Sequence, residues 1–195
     1  MLYVALGAFG LLLACLLEHP RLSNIPLIKP LTGLAVFVLM SYSLIMVAMW
    51  PDRFQIPPPI SWIAWFFFAA FSLLFIYSVF MEVRLNQLRT DMAKGPELVR
   101  TGTYALTRHP GVIWATLALV SLILATRSQL LLIAAPIWLL VDIIWVLIED
   151  RFYFPQMFLN YNKYKQEVPM LIPTPSSIRN CIRTIRLQAR REATE

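Results

Sequence analysis

Charge is what this chain has least of. Only 14% of its 195 residues are Asp, Glu, Lys or Arg, where a soluble domain carries about 25%. Histidine and cysteine are scarce too, with two of each. Cys15 and Cys181 show no C-x-x-C or other metal spacing, so no metal site is expected. The topology below places them in a membrane helix and a cytoplasmic tail, so a disulfide is not expected either. No basic, aromatic-interleaved soluble module exists, which argues against nucleic acid as a partner. No basic residue precedes the first apolar stretch and no A-x-A-like site follows it, so a removable signal peptide is not expected. Internal repeats and low-complexity tracts are also missing.

What is present is apolar. Hydrophobic residues make up 58% of the chain, against about 45–50% in soluble domains, and the mean hydropathy is +0.64. The length suits one compact domain. Five apolar runs stand out: residues 1–17, 31–50, 62–81, 112–126 and 130–148. A membrane crossing takes ~20 residues, within a range of about 17–25. The first run ends at Glu18-His19-Pro20-Arg21 and the second follows Lys29-Pro30. Residues 51–59, with four prolines, read as a rigid connector, because proline does not continue a helix. Aromatics crowd the start of the third run at Trp62, Trp65, Phe66, Phe67 and Phe68, as expected at a headgroup boundary. Arg127-Ser128 makes a tight turn between the fourth and fifth runs, which read as a helical hairpin. The fifth is interrupted by Pro136 and Asp142.

This pattern predicts an all-α integral membrane protein of about five transmembrane helices, with a C-terminal hairpin and a cytoplasmic amphipathic tail. Three N-terminal spans occupy residues 1–81, a core residues 82–173, and a basic tail residues 174–195. The positive charges set the orientation. With five spans, one set of loops holds only Arg53 and Arg127, and the other holds the remaining fifteen of the 17 basic residues. Excess Lys and Arg mark the cytoplasmic side. The N-terminus is therefore expected outside, and the polar loop at 82–107 shares the cytoplasmic face with the C-terminus. In the tail, Ile178, Ile182, Ile185 and Ala189 follow helical spacing, and Arg179, Arg183, Arg186 and Arg190 repeat it on an adjacent face. That arrangement suits an anionic lipid surface or a solvated tail.

Three groups of residues bear chemistry. Pro110 disfavours helix at His109, so Arg108-His109-Pro110 turns the chain just before the fourth run. Free backbone N–H groups and a positive dipole end are expected there, which welcome a carboxylate or phosphate. Arg108 adds a fork of donors and His109 a donor or acceptor. The competing role is a positive-inside anchor with an interfacial histidine. The second group is Asp142, Glu149 and Asp150. Asp142 and Glu149 lie seven residues apart on one helix face, and a carboxylate inside a span points to function or to buried pairing. Glu149 fits a ligand or a structural pair equally; Asp142 fits structure better. The third group is Tyr161 and Tyr164, three apart on one face, followed by a proline-bounded strap from Val168-Pro169 to Pro173. Such a pattern packs over a ligand or anchors the chain at an interface.

In order and spacing, Gly102-x-Tyr104, Arg108-His109-Pro110, a hairpin, Glu149-Asp150, Tyr161-x-x-Tyr164 and Val168-Pro169-x-x-x-Pro173 resemble the isoprenylcysteine carboxyl methyltransferase superfamily, which includes phospholipid N-methyltransferases. The resemblance covers roughly residues 98–173. It implies a cytoplasmic S-adenosylmethionine site and methyl transfer to a lipidic or prenylated acceptor within the membrane. Tyr104, His109, Glu149, Asp150, Tyr161 and Tyr164 would contact the cofactor, Arg108 would orient the acceptor, and Glu149 would also serve catalysis. A phospholipid N-methyltransferase and a non-catalytic scaffold that kept the fold are the alternatives. The family pattern R-H-P-x-Y-x-G is replaced here by Gly111-Val112-Ile113-Trp114 after Pro110, its second glutamate by Asp150, and the usual glycine ahead of Y-x-x-Y is absent from Met157-Phe158-Leu159-Asn160.

Overall fold

Uninterrupted apolar sequence with few helix breakers gives helices, and helix is the only extended regular structure among the described residues. The computed structural model describes residues 1–17, 28–83, 98–158 and 160–192. The Glu18 to Arg21 stop signal, residues 84–97 of the polar loop, and the side chains of Lys29 and Ala189 lie outside what it describes. The helices are α1 (Leu2–Leu17), α2 (Ile28–Ala48), α3 (Pro58–Ile76), α4 (Pro110–Thr126), α5 (Gln129–Ile148), α6 (Tyr161–Glu167) and α7 (Pro175–Glu192). α3 runs on through a π turn, Tyr77–Glu82, and α5 through a second, Glu149–Tyr153, and a last α turn, Phe154–Met157.

Three stretches are long and apolar enough to cross a membrane: Pro30–Ala48, Pro58–Glu82 and Gln129–Met157. α1 and α4 have 16 and 17 residues. At ~1.5 Å per residue they fall somewhat short of a ~30 Å hydrocarbon core. Three prolines depart from the sequence expectation. Pro58 and Pro59 belong to the first turn of α3, not to the connector. Their missing N–H groups are harmless there, because first-turn donors have no partner within the helix. Pro136 does not interrupt α5, which is helical on both sides of it. Membrane helices tolerate proline where neighbouring groups satisfy the freed carbonyl.

The chain divides into two compact units, Met1–Ala69 with Thr116–Trp145, and Ala70–Ala115 with Val146–Glu195. The first is an apolar packing unit. Val4, Val47, Leu122, Leu130, Leu131 and Trp138 form its buried cluster. The Trp138 indole donates to the Val4 carbonyl at 2.9 Å, so the buried N–H is satisfied. Gly7 is needed at that crossing, since a Cβ there would lie 2.5 Å from the Trp138 ring. The Arg127-Ser128 turn forms as expected, with Arg127 at φ 59°. The Arg127 carbonyl accepts from the Phe54 amide at 2.9 Å, and the Gln129 amide donates to Asp52 at 3.0 Å. The Arg53 guanidinium donates to the Thr126 carbonyl. Ser128 caps α5: its hydroxyl accepts from the Leu131 amide at 3.2 Å and donates to the Val47 carbonyl at 2.6 Å.

The outward faces are as apolar as the core. Phe37, Trp62, Phe66 and Leu73 are each more than 60% exposed, and only 11% of the most hydrophobic window of α2, and of α3 with its π turn, is buried in protein. Water-soluble proteins rarely expose apolar patches beyond a few hundred Å². These faces suit hydrocarbon.

Candidate functional site

The second unit holds the polar residues singled out between 98 and 173, except Asp142. A 3-10 turn, Gly102–Ala105, presents Tyr104. The next residues lead into α4, and the strap after α6 runs alongside them. The Arg108 amide donates to the Pro169 carbonyl at 2.9 Å and the His109 amide to the Met170 carbonyl at 3.2 Å. The Val112 amide is taken by the His109 carbonyl at 3.2 Å. Three of the backbone donors around the start of the fourth span, expected to be free, are therefore taken. The proline-bounded strap supplies acceptors, so Arg108 and His109 are held by their backbones and present side chains only.

Those side chains converge on Asp150, which is 4% exposed. The Arg108 guanidinium reaches Asp150 Oδ1 at 2.9 Å through Nε and Oδ2 at 3.4 Å through its second terminal nitrogen. Its other terminal nitrogen donates to the Lys165 carbonyl at 2.9 Å. The Tyr161 hydroxyl donates to Asp150 Oδ1 at 2.5 Å, and Lys165 Nζ lies 2.8 Å from Oδ2. His109 Nε2 stands 3.9 Å from Oδ1, with its ring stacked on Phe154 at 5.7 Å and an interplanar angle of 15°. Phe154 also meets Tyr161 edge-on at 5.5 Å. A buried carboxylate is stable only when its lone pairs are filled and its charge is matched. Arg108, Lys165 and Tyr161 do both.

Tyr104 anchors the other end. The Tyr164 hydroxyl donates to the Tyr104 carbonyl at 2.6 Å, and Arg100 lies over the Tyr164 ring at 5.8 Å. Burial pushes all three phenols above the ordinary tyrosine range. For Tyr104 the charges of Glu82 and Glu149 add to it, for Tyr161 the hydrogen bond and charge of Asp150, and for Tyr164 the neighbouring Tyr104. Glu149 is half-buried, within electrostatic reach of Tyr104.

Of the residues picked from sequence, Arg108, His109, Asp150 and Tyr161 are brought together directly. Tyr104 joins Tyr164 by a hydrogen bond and Glu149 by its field. Asp142 belongs to the first unit and is half-buried. Two participants were missed. Lys165 completes the Asp150 pairing, and its place one residue after Tyr164 was the only clue. Glu82, 5% exposed, accepts from the Thr103 amide at 2.8 Å and from the Thr103 hydroxyl. Ser78 adds a bond to Thr103 at 3.0 Å. A carboxylate directly after the apolar run 62–81 was the available signal, and it reads as the start of a loop. Gly102, at φ +60°, has Glu82 against the place its Cβ would occupy. No family model, no curated protein and no solved structure matches this chain. Among the described residues, no group of His, Cys, Asp and Glu is arranged to hold a metal ion.

Proposed function

We propose that this chain is an integral membrane S-adenosylmethionine-dependent methyltransferase of the isoprenylcysteine carboxyl methyltransferase type, acting on a lipidic or prenylated acceptor. The observation that carries the reading is the pinning of Arg108 and His109 to the strap at Pro169 and Met170, with Asp150 and Tyr161 closing the same cluster. The spaced elements of the sequence resemblance thus meet in one place. α1 and α4 complete five spans, and the excess of basic residues puts the N-terminus outside and the site at the cytoplasmic face.

The residues suit the cofactor. It carries a sulfonium, an ammonium and a carboxylate. Glu149 and the phenol of Tyr104 favour cationic groups, by charge and by the ring face. His109, held by its backbone and stacked on Phe154, offers a ring nitrogen to the carboxylate. When bound, the cofactor supplies a methyl group for in-line transfer to a nucleophile. The chain's part is positioning and exclusion of water. A carboxylate acceptor needs no general base; an amine acceptor needs one, and Glu149 is placed for it. Arg108 orients the acceptor, and Asp150, paired also with Lys165 and Tyr161, is the carboxylate it partly releases to do so. Asp150 itself serves by holding these side chains.

Binding of S-adenosylmethionine to purified protein, in detergent and in lipid, tests this. Wild type binds, and His109→Ala and Glu149→Ala each lower affinity about tenfold or more, the loss of one charged hydrogen bond. No binding in either medium refutes the enzyme reading and leaves a scaffold that kept the fold. A second reading, phospholipid N-methylation, is favoured by the half-buried Glu149 as a base. Labelled cofactor supplied to native membranes distinguishes the two by what becomes labelled.

A further inference from the structure

α7 carries three faces, and only one is accounted for by the fold. Thr174 and Ser177 cap its start reciprocally: the Ser177 amide donates to the Thr174 hydroxyl at 3.2 Å and the Thr174 amide to the Ser177 hydroxyl at 3.0 Å. Ser177 and Cys181 are buried, and Thr184 and Gln188 are half-buried on the same side. Thr184 Oγ1 accepts the Gly102 amide at 3.1 Å, and Gln188 donates to the Thr101 hydroxyl at 3.0 Å. This face therefore grips the turn that presents Tyr104. Next to it runs a stripe of Ile178, Ile182 and Ile185, 43 to 48% exposed. Beyond the stripe, Arg179, Arg183, Arg186 and Arg190 recur every three or four residues. With Ile182 and Leu187, these arginines line an open groove of about 390 Å³.

We propose that α7 lies on the membrane as an anionic-phospholipid-binding strap, and that lipid engagement braces the Thr101–Ala105 turn on its other face. The chemistry chooses the occupant. An isoleucine stripe beside an arginine ladder matches an acyl layer beside headgroup phosphates, with arginine forks suited to phosphate oxygens. A polyanion in solution would use the arginines and leave the isoleucines in water. Because the proposal concerns α7 and the turn, it stands whether or not methyl transfer does.

The test is amide hydrogen exchange on the full chain in nanodiscs, either neutral phosphatidylcholine or one-third phosphatidylglycerol. Each arginine near an anionic surface strengthens binding about fivefold. Exchange across α7 and at Gly102 is therefore expected to slow at least ~10-fold in the anionic discs, an effect screened away at ~1 M salt. R179Q/R183Q/R186Q/R190Q abolishes the difference at both places. Thr184→Val keeps the lipid response of α7 and loses it at Gly102. Equal exchange in the two discs overturns the proposal. So does equal slowing by inorganic phosphate in detergent, which marks a free-anion site, or slowing that follows the number of protein copies per disc, which marks a self-association face. A lipid response of α7 with none at Gly102 in wild type overturns the bracing.

Discussion

Asp150→Asn separates a site that is held together by one charge from a site that is merely crowded. The substitution keeps size and one acceptor oxygen but removes the counter-charge of Arg108. The Arg108 and Asp150 side chains are 7% and 6% exposed, and their atoms meet at 2.9 Å. Unit charges ~4 Å apart interact by about 4 kcal/mol at an effective dielectric of ~20, and removing one partner of a buried pair typically costs ~3–5 kcal/mol. Lys165 is different. Its side chain is 43% exposed, so its pairing contributes no more than about 1 kcal/mol after solvent screening. Asp150→Asn is therefore expected to lower unfolding free energy by ~3–5 kcal/mol, and Lys165→Ala by less than ~1. The assay is equilibrium unfolding in mixed micelles, with Arg108→Met, Asp150→Leu and the Arg108→Met/Asp150→Leu double variant closing the cycle. An apolar pair of similar volume leaves no orphaned charge, so the double variant is expected to be more stable than either Asp150→Asn or Arg108→Met alone. The reasoning fails if Asp150→Asn costs no more than Lys165→Ala, or if the double variant is the least stable of the set.

Three further outcomes follow from the same contacts. Tyr104, Tyr161 and Tyr164 have folded-state pKa values above the unfolded value of about 10. The unfolded chain therefore releases protons first, so stability is full below pH ~10 and falls as pH rises through the folded values. Ultraviolet titration of phenolate should show Tyr104, Tyr161 and Tyr164 ionising only together with unfolding; their ionisation near pH 10 in the folded protein would contradict the burial. Gly102→Ala places a methyl against Glu82 at a left-handed φ, at a cost of at least ~1–2 kcal/mol. Faster exchange of the Thr103 amide reports it, and unchanged exchange would mean that the turn is not so constrained. Gly7→Val overpacks the Trp138 ring and should destabilise the first unit by about 1–3 kcal/mol, read as a red-shifted, more quenchable tryptophan; an unchanged spectrum and stability would rule the close packing out.

The helices were legible because hydrophobic run length is nearly sufficient to find them. Their ends were less so, since proline reads as a breaker until the first turn is known: Pro58 and Pro59 start α3, and Pro136 sits within α5. The site was legible by residue type and order, with Arg108, His109, Asp150, Tyr161 and Tyr164 named beforehand. Their partners were not. The spacing of Tyr161 and Tyr164 gives a shared face, yet nothing in it says that one hydroxyl goes to Asp150 and the other to the Tyr104 carbonyl. The role of Asp150 changes for the same reason. A carboxylate at the end of a span suits a cationic ligand until Arg108 and Lys165 are seen to neutralise it.

The two π turns explain why the carboxylates were hardest to place. Glu82 ends one and Asp150 lies in the other, and both side chains are buried within the second unit. In an α-helix a four-residue step overshoots the 3.6-residue turn by about 40°, so a series four apart, such as Trp138, Asp142, Val146 and Asp150, drifts steadily around the axis. A wider i→i+5 turn reverses that drift. It lets α5 enter its last turns with Asp150 aimed at Arg108 while Arg151 and Phe152 stay exposed. In the π turn that ends α3, Ser78 and Glu82 both face Thr103. Regular helical periodicity carries no trace of an inserted residue, and Glu149-Asp150-Arg151 reads equally well as the polar end of a span. Wide turns cost hydrogen-bond geometry, and two of them placed where apolar helices deliver buried carboxylates point to side-chain aim, not helix stability, as what this unit was shaped to provide.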